Sequence, residues 1–228
     1  MKSLGITLVP LESNSTDITE YRHYMFEALK LLNEYDIDVI ATDYQLKLIM
    51  EEYTESPYCN IENKTFCHDY KDTEIKALLT EMVDFYNNKE ITYNEVTKSY
   101  SYENLVGWNI KNEPSTKEFD RISKVINFLN NYDFTYDTYI NLRASYESNI
   151  ELYGSHLALK AYYEDYVNEF IKKTKTKILS TNYNLTISQD ELKSKKEYYN
   201  NLSTIKSISK NNNAIPMNIT NITKTSTI

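Results

Sequence analysis

At 228 residues and 41% hydrophobic side chains, the chain is long enough for one or two packed domains. Its 33 acidic against 25 basic residues, a formal net charge of −8, exclude the clustered positive charge that nucleic-acid binding needs. No apolar run reaches the ~18 residues of a membrane span, and only 3 Gly and 4 Pro interrupt the chain, which favours long regular elements.

One stretch organises the rest. Leu32-Asn33-Glu34-Tyr35-Asp36 returns 97 positions later as Leu129-Asn130-Asn131-Tyr132-Asp133, each time between a helical pattern and an alternating one. At the same offset Met25 matches Ile122 and Leu29 matches Ile126, all at helical core positions. That is the expected mark of a duplicated unit whose surface has drifted.

In chain order, Leu4 to Leu11 reads as a buried strand closed by Pro10. The short apolar run at the start, broken by Thr7 and followed by no small-residue cleavage site, points to a cytoplasmic protein. Six Asn-X-Ser/Thr sequons (Asn14, Asn63, Asn184, Asn201, Asn218, Asn221) then carry no weight. Asp17, with Glu20 three residues on, opens a helix to about Tyr35. Ile37 to Ile40 is a second strand and Leu46 to Met50 a third, with a helix as its rival. Residues 55–71 form an insertion carrying both cysteines. Asp72 opens a second helix to about Asn87, and Ile91 to Val96 is a fourth strand.

The pattern then repeats. Leu105 to Ile110 is a strand, and Ser115 with Glu118 caps a helix presenting Phe119, Ile122, Ile126 and Leu129. Phe134 to Leu142 is a strand whose hairpin partner is Asn149 to Tyr153, closed by Gly154. His156 to Lys172 is a helix, and Ile178 to Ile187 a strand. Gln189 to about Ile205 reads as a lysine-rich helix. Residues 210–228 read as a flexible tail, or a strand that needs a partner.

The expected fold is therefore α+β: two tandem ferredoxin-like βαββαβ repeats, at 1–100 and 101–188, forming a pseudo-dimer, with a helix and tail at 189–228. A mostly α-helical fold is the alternative.

The residues also resemble a family. Leu8-Val9-Pro10-Leu11 is similar to the strand-end motif, and Asn149-Ile150-Glu151-Leu152-Tyr153-Gly154 to the hairpin strand and its glycine, of the YkoF-like tandem family. The likeness covers residues 3–188 in outline. Two departures stand out: Asn109-Ile110-Lys111-Asn112 replaces the second Pro-containing strand end, and Glu51-Glu52 stands where the first hairpin glycine belongs. The resemblance implies a non-catalytic protein that binds a thiamine- or hydroxymethylpyrimidine-type ligand.

Candidate chemistry is sparse. Cys59 and Cys67, with His68 and Asp69 adjacent, are a single loose pair rather than the two close pairs of a zinc site, and read as free thiols. His23 and His156 sit in or at the start of helices without a nucleophile partner. A cationic aromatic ligand wants a carboxylate, a ring and fixed hydrogen bonds. Asp43 and Tyr44 at the first hairpin, and Tyr139, Asn141 and Arg143 on one strand face, supply that set. Trp108 beside Gly107 could line the pocket. The bland reading of the same residues is a solvated sheet face with tyrosines packed on neighbours.

These features point to a non-enzymatic small-molecule binder for a thiamine-like cationic heterocycle, with no cofactor and no metal. The alternative is an acidic interaction or inhibitor protein of a virus or mobile element, binding a host protein through its Tyr-rich surfaces. A homodimer is compatible with either.

Overall fold

The structure is a computed structural model that describes residues 8–51, 69–133, 135–145, 147–154, 162–186 and 191–223. In chain order its elements are β1 (Leu8–Leu11), α1 (Ile18–Glu34), β2 (Asp38–Ala41), α2 (Tyr44–Glu51), α3 (Asp72–Asn88), β3 (Glu90–Tyr93), β4 (Val96–Ser99), β5 (Leu105–Asn112), α4 (Phe119–Tyr132), β6 (Asp137–Leu142), α5 (Asn149–Tyr153), α6 (Tyr163–Thr174), β7 (Ile178–Thr186), α7 (Glu191–Asn211) and β8 (Ile215–Thr223). A 3-10 turn, Thr116–Glu118, leads into α4. Among the described residues no helix is long and apolar enough to cross a membrane.

Six strands form one sheet in the order β1-β2-β5-β6-β7-β8, and β3 and β4 form a separate antiparallel hairpin. β1 pairs with β2, β2 with β5, β6 with β7, and β7 with β8, all in parallel. An order that never reverses is the singly wound arrangement of β/α barrels.

This overturns the expectation of two ferredoxin-like repeats, and with it the resemblance to the YkoF-like family. Those repeats require antiparallel hairpins within the main sheet. Two segments read as hairpin strands are helices instead. Leu46 to Met50 lies in α2, which Asp43 caps by accepting from the Gln45 N–H at 2.9 Å. Asn149 to Tyr153 is α5, started by a capping box between Ser148 and Glu151 and ended by Gly154 at φ +62°. A five-residue apolar run does not distinguish strand from helix turn, so the caps decide. The mostly helical alternative fails on the same six-stranded sheet.

The recurring corner has a different cause as well. Met25 and Leu29 on α1, and Ile122, Ile126 and Leu129 on α4, are buried. Each helix precedes a parallel strand and covers a sheet with the same spacing of apolar residues. The similarity is what that task demands of any such helix, not a copied ferredoxin-like unit.

The chain divides into two compact units, Met1–Ile110 with Lys124–Tyr139, and Lys111–Ser123 with Ile140–Ile228. In the first, Asp17 caps α1 by accepting the Glu20 N–H at 2.8 Å. α1 buries Tyr21, Met25, Phe26 and Leu29, and α3 buries Ile75, Leu79, Met82, Val83 and Tyr86. Phe26 stacks on Phe85 with centroids 5.1 Å apart, and Tyr86 meets Trp108 edge-on at 4.9 Å. In the second unit, Phe119 packs on Tyr166 and Phe170, with Val167, Ile171, Leu179, Ile205 and Ile208 also buried. Residues 215–223, expected as a flexible tail or a strand in need of a partner, form β8 in register with β7 from Ile178↔Ile215 to Thr186↔Thr223.

Candidate functional site

The six residues singled out from the sequence fall in different settings. Asp43 is fully buried, 3.2 Å from the Arg22 Nε. Arg22 also donates to Gln45 and Glu81, and lies 4.3 Å over the Phe85 ring. The half-buried Tyr44 donates its hydroxyl to the Thr16 carbonyl and sets its ring edge-on to Tyr21. Trp108 is buried between Tyr86 and Tyr136, and Tyr139 is buried too. Those four belong to the first unit. Asn141 and Arg143 belong to the second: Asn141 is buried and accepts from Ser180 Oγ at 3.3 Å, and Arg143 is half-buried just past the end of β6. Cys59, Cys67, His68 and His156 lie outside the described residues.

Around Arg143 the second unit builds a charged site at the exits of β5 and β6. Glu113 follows β5 in a left-handed conformation, φ 51°, and its N–H bonds the Asn141 carbonyl at 2.7 Å. The backbone after β6 is held by side chains from two helices. Tyr163 donates to the Arg143 carbonyl at 2.8 Å. Tyr166 donates to the Pro114 carbonyl at 2.6 Å and accepts the Arg143 N–H at 3.4 Å. From α7 the buried Asn201 accepts the Ser145 N–H at 2.9 Å and donates to Thr181 Oγ1 at 3.3 Å. The Glu147 N–H then bonds the Ala144 carbonyl at 3.2 Å.

This framework brings two carboxyl groups together. Glu151 Oε2 accepts from the Ser148 N–H at 2.9 Å and the Ser148 hydroxyl at 2.7 Å, and it is also hydrogen-bonded to Glu147. Burial pushes the Glu147 carboxyl up to about 7, with the Glu151 hydrogen bond and charge adding to it and Arg143 opposing. The hydrogen bonds from Glu147 and Ser148 bring Glu151 down to about 2. The two carboxyls are thus pushed in opposite directions, Glu147 toward keeping its proton and Glu151 toward losing it. A proton donor that stays loaded to near neutrality, beside an arginine that favours its conjugate base, is equipped for general acid–base work. The Arg143 Nε is buried without a hydrogen-bond partner among the described residues.

Glu113, Glu147 and Glu151 were not singled out from the sequence. The signal available was Ser148-x-x-Glu151, a capping box whose Glu151 reaches back to the N-cap, with Glu147 just ahead of it. Reading 149–153 as a strand hid it. An open groove of about 890 Å³ along α3, lined by Thr73, Ala77, Glu81 and Phe85 among others, follows one helix rather than the strand ends.

No family model matches the sequence, and no curated protein matches it. Among solved structures the chain is similar to a glycoside hydrolase family 5 mannosidase from Rhizomucor miehei, with a TM-score of 0.50 and 14% identity over 92% of this chain and 57% of that one. It is also similar to AbfB, a family 51 α-L-arabinofuranosidase from Bifidobacterium longum, with a TM-score of 0.47 and 10% identity over 96% of this chain and 48% of that one. The chain thus spans about half the length of the proteins it resembles. The likeness is one of fold. Glu113 and Arg143 each stand just past the C-terminal end of a strand, β5 and β6.

The fold corrects the functional expectation too. The non-enzymatic reading, whether as a thiamine-type binder or as an interaction protein, drew on exposed ferredoxin-like sheet faces. The six main strands instead form one β/α sheet, so those faces do not exist.

Proposed function

We propose that this chain is an enzyme of the acid–base type that cleaves a glycosidic bond in a neutral carbohydrate. The observation that carries the reading is the placement of Glu147 and Glu151 around Ser148, on the segment that follows Arg143 at the exit of a barrel-type strand. The fold shared with a mannosidase supports the substrate class.

In this reading Glu147 gives its proton to the leaving-group oxygen as the bond to the anomeric carbon breaks. Arg143 stabilises the carboxylate left behind. Glu151 cannot be the group on the opposite face of the sugar. Carboxyl groups that flank a glycosidic bond stand at least ~5 Å apart, and this pair is in hydrogen-bond contact. Glu151 serves instead to keep the proton on Glu147. Glu113, whose charge Glu147 feels, is the carboxylate assigned to activating the attacking water. With three glutamates and one arginine, the site repels an anionic substrate, whereas sugar hydroxyls can both donate to the carboxylates and accept from Arg143. The cytoplasmic setting belongs to the same proposal and is tested by cell fractionation.

The test is turnover of a panel of aryl glycosides that includes mannosides and arabinofuranosides. Turnover is expected to fall about a hundredfold or more in Glu147→Gln, the usual range for losing a general acid. Failure to hydrolyse any glycoside in the panel, with the protein folded, would sink the proposal.

A further inference from the structure

Arg143 is gripped by its main chain. The Tyr166 hydroxyl takes its N–H and the Tyr163 hydroxyl binds its carbonyl. These tyrosines are three residues apart on α6, so their side chains share one helix face. The same Tyr166 hydroxyl donates to Pro114, next to Glu113, and so ties the exit of β5 to the exit of β6. Tyr163 also reaches Thr181 Oγ1 at 3.2 Å, which in turn receives Asn201, the residue holding Ser145. The peptide groups of Arg143 and Ser145, ahead of the acid pair, are thus anchored by hydroxyl and amide groups from α6 and α7.

We propose that Tyr163 and Tyr166 are positioning residues for the acid pair: their hydroxyls fix the Arg143 backbone and the Pro114 carbonyl, and so hold the chain that leads from the exit of β6 to Glu147. The inference rests on Glu147 being the proton donor. The aromatic rings alone would fill the same space, since Tyr166 packs on Phe119 and Tyr153. What the hydroxyls add is direction. Removing them strands the Pro114 carbonyl and the Arg143 peptide groups, which are then free to turn toward water. The loop carrying Glu147 loosens with them. Glu147 is then better solvated and its contact with Glu151 weakens, so its proton affinity falls toward that of an ordinary glutamate.

The experiment follows the Glu147 carboxyl carbon by NMR titration of the full chain. It compares wild type, the double variant Tyr163→Phe/Tyr166→Phe, and Tyr153→Phe. Tyr153 loses a hydroxyl bonded to the Tyr162 carbonyl, the same chemical change outside the grip. The double variant is expected to lower the Glu147 midpoint by about one pH unit, a tenfold loss of proton affinity, with Tyr153→Phe unmoved. If the double variant does not fold, Tyr163→Phe alone is read the same way. A midpoint unchanged in the folded variant overturns the inference, as does an equal shift in Tyr153→Phe. The titration needs no substrate, so it is separable from the hydrolase test. An active enzyme with an unmoved midpoint loses only the positioning role. A wild-type Glu147 that titrates as an ordinary glutamate removes the acid pair, and this inference with it.

Discussion

The Arg22 Nε lies 3.2 Å from Asp43 Oδ2, and both side chains are buried in the first unit. Arg22 comes from α1, while Asp43 caps α2 through the Gln45 N–H and its Oδ1. One carboxylate therefore ends a strand, starts a helix and neutralises an arginine. Asp43→Ala would leave the guanidinium buried and α2 uncapped. The expected loss is about 3–5 kcal/mol, the range for breaking a buried pair from one side, read from urea unfolding. A loss below ~1 kcal/mol would mean that the network is dispensable, and would return Asp43 to consideration as a ligand carboxylate.

Gly107 gives a second prediction. A Cβ built there stands 2.6 Å from the Asp137 carbonyl oxygen, a backbone atom that cannot swing away. Gly107→Ala must push two strands apart, and is expected to cost about 1–3 kcal/mol as overpacking does. Thermal unfolding checks it. An unchanged midpoint would show that the strands can shift without loss.

Ser148 gives a third. Its hydroxyl and N–H both bond Glu151 Oε2, and its Oγ accepts the Glu151 N–H at 3.4 Å. Ser148→Ala removes the cap and one of the bonds that hold Glu151 ionised. The variant is expected to lose about 1 kcal/mol and to raise the Glu151 midpoint. Carboxyl-carbon NMR would follow the second effect. A Glu151 that does not move would show that the Ser148 hydroxyl plays no part in its low value, leaving the backbone N–H and its charged neighbours.

The helices show best in the sequence. α1, α3 and α4 carry an apolar face at helical spacing, and α1 begins at the cap read for it. Residues 46–50 fit strand or helix, and 149–153 alternate like a strand, because five residues display no helical period. That ambiguity decided the whole fold. With both runs as strands, the order reads as hairpins and antiparallel repeats. With both as helices, the same chain alternates strand and helix, the signature of a parallel sheet. The site followed suit. Arg143 was legible as a polar residue at a strand end, but Glu147 and Glu151 meet only when 148–151 is a helical turn. The burial of Asp43 and Trp108 depends on Arg22, Tyr86 and Tyr136, partners far away in sequence that no local pattern announces.

The last prediction concerns pH. Glu147 holds its proton more tightly folded than unfolded, so its contribution to stability is whole below the ordinary value of 4.5 and is lost as pH rises through about 7. Glu151 runs the other way: its contribution is whole above 4.5 and is lost as pH falls through about 2. Between about pH 5 and pH 8, then, only the Glu147 side of the pair changes, and the wild type should become less stable as the proton leaves. Glu147→Gln keeps a neutral donor facing Glu151 at every pH. Its stability should stay flatter over the same interval, with the two proteins diverging most above pH 7. Urea midpoints taken across that range would show it. Parallel curves for wild type and variant would mean that Glu147 titrates alike in the folded and unfolded chains, and that the pair does not share a proton near neutrality.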